Sequence, residues 1–159
     1  MNTLFIMVGA PGSGKSYFAN VLSSNISAKI ISRDKIRFNL LEENDEYFHR
    51  EGAVFIEFIE TIQNYLDAGE TVIADATHLT KKSRSKLLNN LNIDNVYVIP
   101  VVIKTSLKTC LMRNSIRQGR EKVPETVLRN MYKSMTDPID DHAALKNKYY
   151  DVLYISGEV

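Results

Sequence analysis

The sequence predicts an α/β fold on a parallel central sheet, and three observations carry that expectation. Short apolar runs of strand length alternate with longer stretches of helical spacing. The first of these runs, Thr3 to Val8, is apolar without alternation, as in a strand covered on both faces. The octapeptide GAPGSGKS, Gly9 to Ser16, then places glycine and proline where neither a helix interior nor a strand interior tolerates them, so a loop joins the first strand to the first helix.

After Gly9–Ser16, residues Ser16 to Ser24 read as a helix with Phe18, Val21 and Leu22 on one face. Lys29 to Ser32 is a second strand, and Arg33 to Leu41 is helical. Asn44 or Asp45 is placed to cap a longer helix running to Ala68, with Phe55, Phe58, Ile59, Ile62 and Leu66 at helical spacing and Gly69 ending it. This stripe reads as core, not as a base-stacking platform. Thr71 to Ala74 is a third strand and Thr80 to Leu91 a helix. Val96 to Ile103 is a fourth strand, with Pro100 awkward inside it because proline belongs at edges or bulges. Leu107 to Gln118 is helical, Pro124 opens a helix through Met135, and Asp151 to Ile155 is a last strand. Strands alternating with helices imply βαβ units and a parallel sheet, and with no repeat, low-complexity tract or linker the 159 residues read as one domain.

Apolar residues make up 44% and charged residues 25%, both ordinary for a soluble globular protein. The lone Cys110 can form no internal disulfide, the N-terminus lacks the pattern of a secretion signal, and no apolar run approaches the roughly 20 residues that span a bilayer. The expectation is a cytoplasmic protein without membrane contact. Formal net charge is only +1, but its distribution is uneven. Between His78 and Lys122 lie Lys81, Lys82, Arg84, Lys86, Lys104, Lys108, Arg113, Arg117, Arg120 and Lys122 against only Asp94 and Glu121. Glu42, Glu43, Asp45 and Glu46 form an acidic run. The basic half could serve a polyanion or be a solvated charged surface.

Gly9 to Ser16 fits G-x-x-x-x-G-K-[ST], the P-loop. Gly9, Gly12, Ser13 and Gly14 bring backbone N–H groups onto phosphate oxygens, and the following helix points its positive end at the same anion. Lys15 reaches the β- and γ-phosphates and the Ser16 hydroxyl can ligate Mg²⁺. The expected cofactors are therefore ATP, or another nucleoside triphosphate, and Mg²⁺. The fold becomes a P-loop NTPase three-layer sandwich. No guanine-reading N-K-x-D is present, and a small chain with one acidic residue after its second strand points to the kinase type.

That residue is Asp34, in IISRDKIR. It lies just beyond a strand, at the carboxyl edge where open α/β sheets bind ligands, placed to orient an acceptor hydroxyl and take its proton. Arg37 follows on the same helical face and could grip a phosphate on the acceptor, or could be an unrelated surface arginine. In TVIADATH, Asp75 could act on Mg²⁺ through water, orient Arg37, or merely cap the next loop. Thr77 offers a hydroxyl at the same edge. Arg113 and Arg117, spaced i and i+4, would stack on one helical face and close over the donor as a lid, or form a solvated basic face.

IISRDKIR, the CLMRNSIR segment and VPETVLRNMYKSM, together with GAPGSGKS, resemble the 5′-kinase domain of bacteriophage polynucleotide kinase, in order, to about Thr136. The resemblance implies donor-binding roles for Lys15 and Ser16. It implies a general base at Asp34 and, at Arg37, a grip on the phosphate 3′ of the first nucleotide. Arg117 would be the main lid arginine with Arg113 its neighbour, and Val123 and Val127 would flank the terminal base. The implied acceptor partners are 5′-hydroxyl ends of DNA or RNA. Two positions depart from the pattern. Ala76 stands where the family has a carboxylate, the acid here being Asp75, and the lid is one residue longer around Gln118 to Lys122, which leaves Arg120 unassigned. No Asp-x-Asp pair is present, so the implied end-healing activity is kinase without phosphatase. Two rival readings remain: a P-loop kinase of a small metabolite or nucleotide sugar, and a nucleotide-dependent module that binds nucleic-acid ends without chemistry. His49, His78 and His142 are scattered, Asp140-Asp141-His142 reads as an acidic turn rather than a metal site, and Cys110 reads as packing.

Overall fold

The computed structural model describes residues 1–141 and 149–158. Strand β1 (Asn2–Val8) leads through the glycine loop into helix α1 (Lys15–Ile26). Strand β2 (Lys29–Ser32) and helices α2 (Arg33–Leu40) and α3 (Glu51–Asp67) follow, then strand β3 (Val72–Asp75) and helix α4 (Lys81–Asn89). Strand β4 (Val96–Lys104), helix α5 (Leu107–Ser115), a 3₁₀ turn at Gly119–Glu121, helix α6 (Glu125–Ser134), a second 3₁₀ turn at Pro138–Asp141 and strand β5 (Leu153–Ser156) complete the described elements. The five strands pair in parallel in the order β2-β3-β1-β4-β5, so the α/β class with a parallel sheet is borne out.

Side-chain alternation along β1 divides the core. Leu4, Ile6 and Val8 pack with Phe58 and Ile62 of α3 and Leu87 and Leu88 of α4 on one face. Met7 and Phe5 pack with Ala19, Phe18 and Leu22 of α1 on the other. The result is helices, sheet and helix in three layers. Burying side chains as completely as Phe58 and Ile62 are buried contributes about 1.5–3 kcal/mol each. Pro100 fits because the β4–β5 ladder is broken beside it. Val98 bridges Tyr149, and regular pairing resumes only at Val101 with Leu153.

Two expected helices are shorter than the periodicity suggests. The long helix starts at Glu51, not at Asn44 or Asp45. The Asp45 carboxylate instead accepts the Glu42 N–H at 2.9 Å and pairs with Arg50 at 3.3 Å, closing a local turn that competes with helix. Helix α5 ends at Ser115, not at Gln118. The Asn114 side chain bonds the Val123 backbone in both directions, at 2.6 and 2.9 Å, and Gly119 takes a left-handed φ of 63°, which turns the chain back.

Arg84 leaves the surface basic set altogether. It is fully buried, paired with Asp141 at 2.6 Å, and donates to the His78 carbonyl and the Thr136 hydroxyl. Asp141 also accepts from Tyr149 at 2.7 Å, so it is committed to structure; His142 lies outside the described residues. Cys110 is buried with Ala10, Leu79 and Leu128, as packing requires.

His78 is buried against Phe58, with Nδ1 2.9 Å from the Met7 carbonyl and a left-handed φ of 44°. Burial, helped by neighbouring cations and opposed by the Met7 contact, pushes its pKa down to about 4. The unfolded chain takes up that proton near pH 6.5, so this stabilisation is complete above that pH and is lost as pH falls towards 4. Wild type should therefore lose about 2 kcal/mol more stability between pH 7 and pH 5 than His78→Asn, which tolerates the left-handed backbone. Urea unfolding at the two pH values measures the difference, and parallel losses would refute it.

Candidate active site

The carboxyl ends of β1, β2 and β3 meet at one edge, where Ser32 pairs in register with Asp75. A cleft of about 810 Å³ opens there. Lys15, Ser16, Asp34, Arg37, Asp75, Thr77, Arg117, Val123 and Val127 all line it, so residues spread over more than a hundred positions converge on one cleft.

The glycine loop is held from behind. Arg113 donates through Nη1 to the carbonyls of Gly12 and Ser13, both at 3.2 Å, and through Nη2 to Gly157 at 2.8 Å. The Thr105 hydroxyl donates to the Ser13 carbonyl at 2.7 Å. Gly9 N–H donates to the Thr77 carbonyl at 3.0 Å, joining the loop to the β3 edge. Gly12 and Gly14 take φ of 82° and 99°, and a Cβ on Gly12 would lie 2.7 Å from the Cys110 carbonyl. With the carbonyls turned back, the open N–H groups at the start of α1 present an anion site.

Arg113 and Arg117 do not stack on one helical face. Arg113 sits in α5 with its guanidinium spent on three backbone carbonyls. Arg117 lies beyond the helix end, lines the cleft, and has no ion-pair partner among the described residues. The pair thus separates into a loop support and a free cation.

Beside the glycine loop, Ser16 Oγ donates to Asp75 Oδ2 at 2.9 Å, while the buried Asp75 Oδ1 has no partner among the described residues. A hydroxyl and an orphaned carboxylate oxygen beside a phosphate cradle fit a water-bridged Mg²⁺. Burial raises the Asp75 pKa, opposed by Lys15 and the Ser16 hydrogen bond. Asp75 does not orient Arg37.

That role belongs to Glu51 and Tyr47, which no motif in the sequence marks. Glu51, the first residue of α3, accepts from Arg37 Nε at 3.0 Å and Nη2 at 2.5 Å, and from Arg33 at 2.9 Å. Tyr47 accepts from Arg37 Nη1 and donates to Asp34 Oδ1, both at 2.7 Å, and Arg37 Nη1 also bonds Asp34. Burial works against charge at both Arg37 and Glu51. Their mutual contact outweighs it, holding the guanidinium above and the carboxyl below its ordinary value. Asp34 stays half-exposed, with Oδ2 free toward the cleft. No sequence spacing signals Glu51, because its tie to Arg37 spans a turn of irregular chain. Phe55 and Phe58 also line the cleft, so the stripe read purely as core has one end in the site.

The family described as an AAA domain matches residues 4–138. Among solved structures, a sugar kinase from Janibacter sp. HTCC2649 superposes with a TM-score of 0.68 at 16% identity, over 99% of this chain and 86% of that one. A chain of the Pnkp1/Rnl/Hen1 RNA repair complex gives a TM-score of 0.73 at 20% identity over 84% of this chain, which spans 43% of its length. A fungal RNA kinase gives 0.70 at 13% identity, over 99% of this chain and 75% of that one. Among the described residues no helix is long and apolar enough to cross a membrane.

The two arginines should separate kinetically. Arg113→Ala should weaken ATP binding about tenfold or more, since it removes charge-assisted bonds that shape the loop. Arg117→Ala should leave ATP binding near wild type and lower the transfer rate by roughly three to five powers of ten. ATP titration alongside single-turnover transfer distinguishes them, and identical defects would undo the division.

Proposed function

Since the chain belongs to the AAA-domain family matched over residues 4–138 and has a P-loop kinase-like fold, we propose that it is a polynucleotide 5′-hydroxyl kinase of the bacteriophage type. It moves the γ-phosphoryl group of ATP onto 5′-hydroxyl ends of DNA or RNA, a step in nucleic-acid end repair. The observation that carries this reading is the pair Asp34 and Arg37 at one cleft wall, with Arg37 buttressed by Glu51. A neutral sugar needs a base but no buttressed cation, whereas an acceptor hydroxyl next to a phosphate uses both. The RNA kinase and the sugar kinase share the fold, so this wall, not the fold, supports the choice of acceptor.

The 5′-hydroxyl oxygen bonds to the γ-phosphorus, the bond from that phosphorus to the β–γ bridging oxygen breaks, and ADP leaves with its electrons. The hydroxyl proton passes to Asp34 Oδ2. Lys15 and the loop N–H groups of Gly12 and Gly14 hold the donor phosphates, and Arg117 meets the charge on the transferring group. Ser16 and, through water, Asp75 would hold Mg²⁺, which would supply charge neutralisation on the donor phosphates. Arg37 has committed four of its five N–H groups to Glu51, Asp34 and Tyr47. As Asp34 turns to the hydroxyl, Nη1 is released for the phosphate 3′ of the first nucleotide. Val123 and Val127 flank the first base, and Thr77 offers its hydroxyl at the same edge.

Rates with a nucleoside 3′-monophosphate and with its unphosphorylated parent test the assignment. Wild type should favour the phosphorylated acceptor by roughly ten- to a hundredfold, and Arg37→Ala should erase the preference. Asp34→Asn should slow transfer roughly 10²- to 10⁴-fold while still binding ATP. Equal wild-type rates with both acceptors would favour a small-metabolite kinase instead.

A further inference from the structure

One wall of the cleft carries three aromatic rings, and of these Phe48 has no hydrogen bond to Asp34 or Arg37. Phe48 is 63% exposed yet fixed, its ring edge-to-face with Tyr47 at 4.6 Å and 84°. Tyr47 stands edge-to-face with Phe38 at 6.0 Å. The Arg37 guanidinium lies 4.3 Å from the Tyr47 ring centre and 5.8 Å from that of Phe48. All three rings line the cleft. A ring so exposed buries little apolar area, and its edge-to-face contact leaves ring surface open.

We propose that Phe48, backed by Tyr47, is a stacking platform for the second base of a single-stranded 5′ end. The inference rests on the polynucleotide-kinase reading. The phosphate 3′ of the first nucleotide is also the 5′ phosphate of the second. If Arg37 holds that phosphate, the second nucleotide begins at Arg37, and Phe48 is the open ring within one nucleotide's reach. Charge supports a base rather than a phosphate at this spot. Glu46 lines the same wall, with Glu42 and Glu43 nearby in the chain, whereas Arg117, Arg120 and Lys122 line the cleft from the lid segment and suit the backbone. A base can stack on an aromatic face whatever its identity, so the platform reads single-strandedness and length, not sequence.

Three acceptors test this, all with a phosphate 3′ of the first nucleotide: a nucleoside 3′-monophosphate, a dinucleotide, and the dinucleotide with an abasic second residue. In wild type, kcat/KM should be roughly five- to a hundredfold higher for the base-bearing dinucleotide than for the other two. Phe48→Ala should collapse that ratio towards one, and Phe48→Trp should preserve it. Equal use of the abasic and base-bearing dinucleotides by wild type, or a ratio unchanged in Phe48→Ala, overturns the platform while leaving the kinase reading intact. If ATP binds but none of the three acceptors is phosphorylated, the kinase reading fails and the platform with it.

Discussion

The ion pair between Arg37 and Glu51 is the constraint on which the Asp34–Arg37 wall of the cleft is built. It joins α2 to the first turn of α3, two helices that otherwise meet across a stretch of irregular chain. A largely buried guanidinium left without its carboxylate would carry a heavy desolvation cost, so the helix start is fixed where Glu51 can reach it. Once that is set, residues 41–50 must fold back over α2. Asp45 closes the turn, and Tyr47 is delivered onto both Arg37 and Asp34. The positions of Asp34, Arg37 and the aromatic wall follow from one pairing.

The glycine-loop side of the cleft is held by a different set of contacts. Helix α5 supplies Arg113 to the back of the glycine loop, and the chain leaving its end supplies Arg117 to the front. The returning segment is closed at its base by Asn114 on Val123, and its tip is tied through Arg120 to the Glu42 carbonyl at 3.2 Å. The last contact spans the cleft from the lid segment to the loop that carries Tyr47 and Phe48. The glycine loop, the 116–123 segment and the Tyr47–Phe48 wall are therefore linked through shared contacts.

Between these halves runs the turn after β3. His78 holds a left-handed backbone there, a conformation that costs a non-glycine residue energy unless its surroundings impose it. They do: Arg84 bonds its carbonyl from below, and Met7 meets its ring. A buried polar network satisfied at each member, as Arg84, Asp141, Thr136 and Tyr149 are, stiffens what it touches. The residue it steadies is the neighbour of Thr77, whose carbonyl anchors Gly9.

The sequence by itself determined the order of strands and helices, the glycine loop and its lysine and serine, and the placement of Asp34 and Asp75 at strand ends. These are local properties: periodicity follows from the geometry of one element, and a loop motif is contiguous because neighbouring N–H groups must converge on one anion. Tertiary structure alone decided that Glu51 and Tyr47 govern Arg37, that Arg84 is buried while Arg117 is free, and that Arg113 supports the loop instead of stacking with Arg117. Each depends on partners far along the chain, and a charged residue reads the same in sequence whether a distant carboxylate awaits it or not. The two helix ends that moved teach the same lesson. Asp45 and Asn114 satisfy backbone groups across a turn, and such side-chain bonds outweigh helical spacing that is otherwise sound.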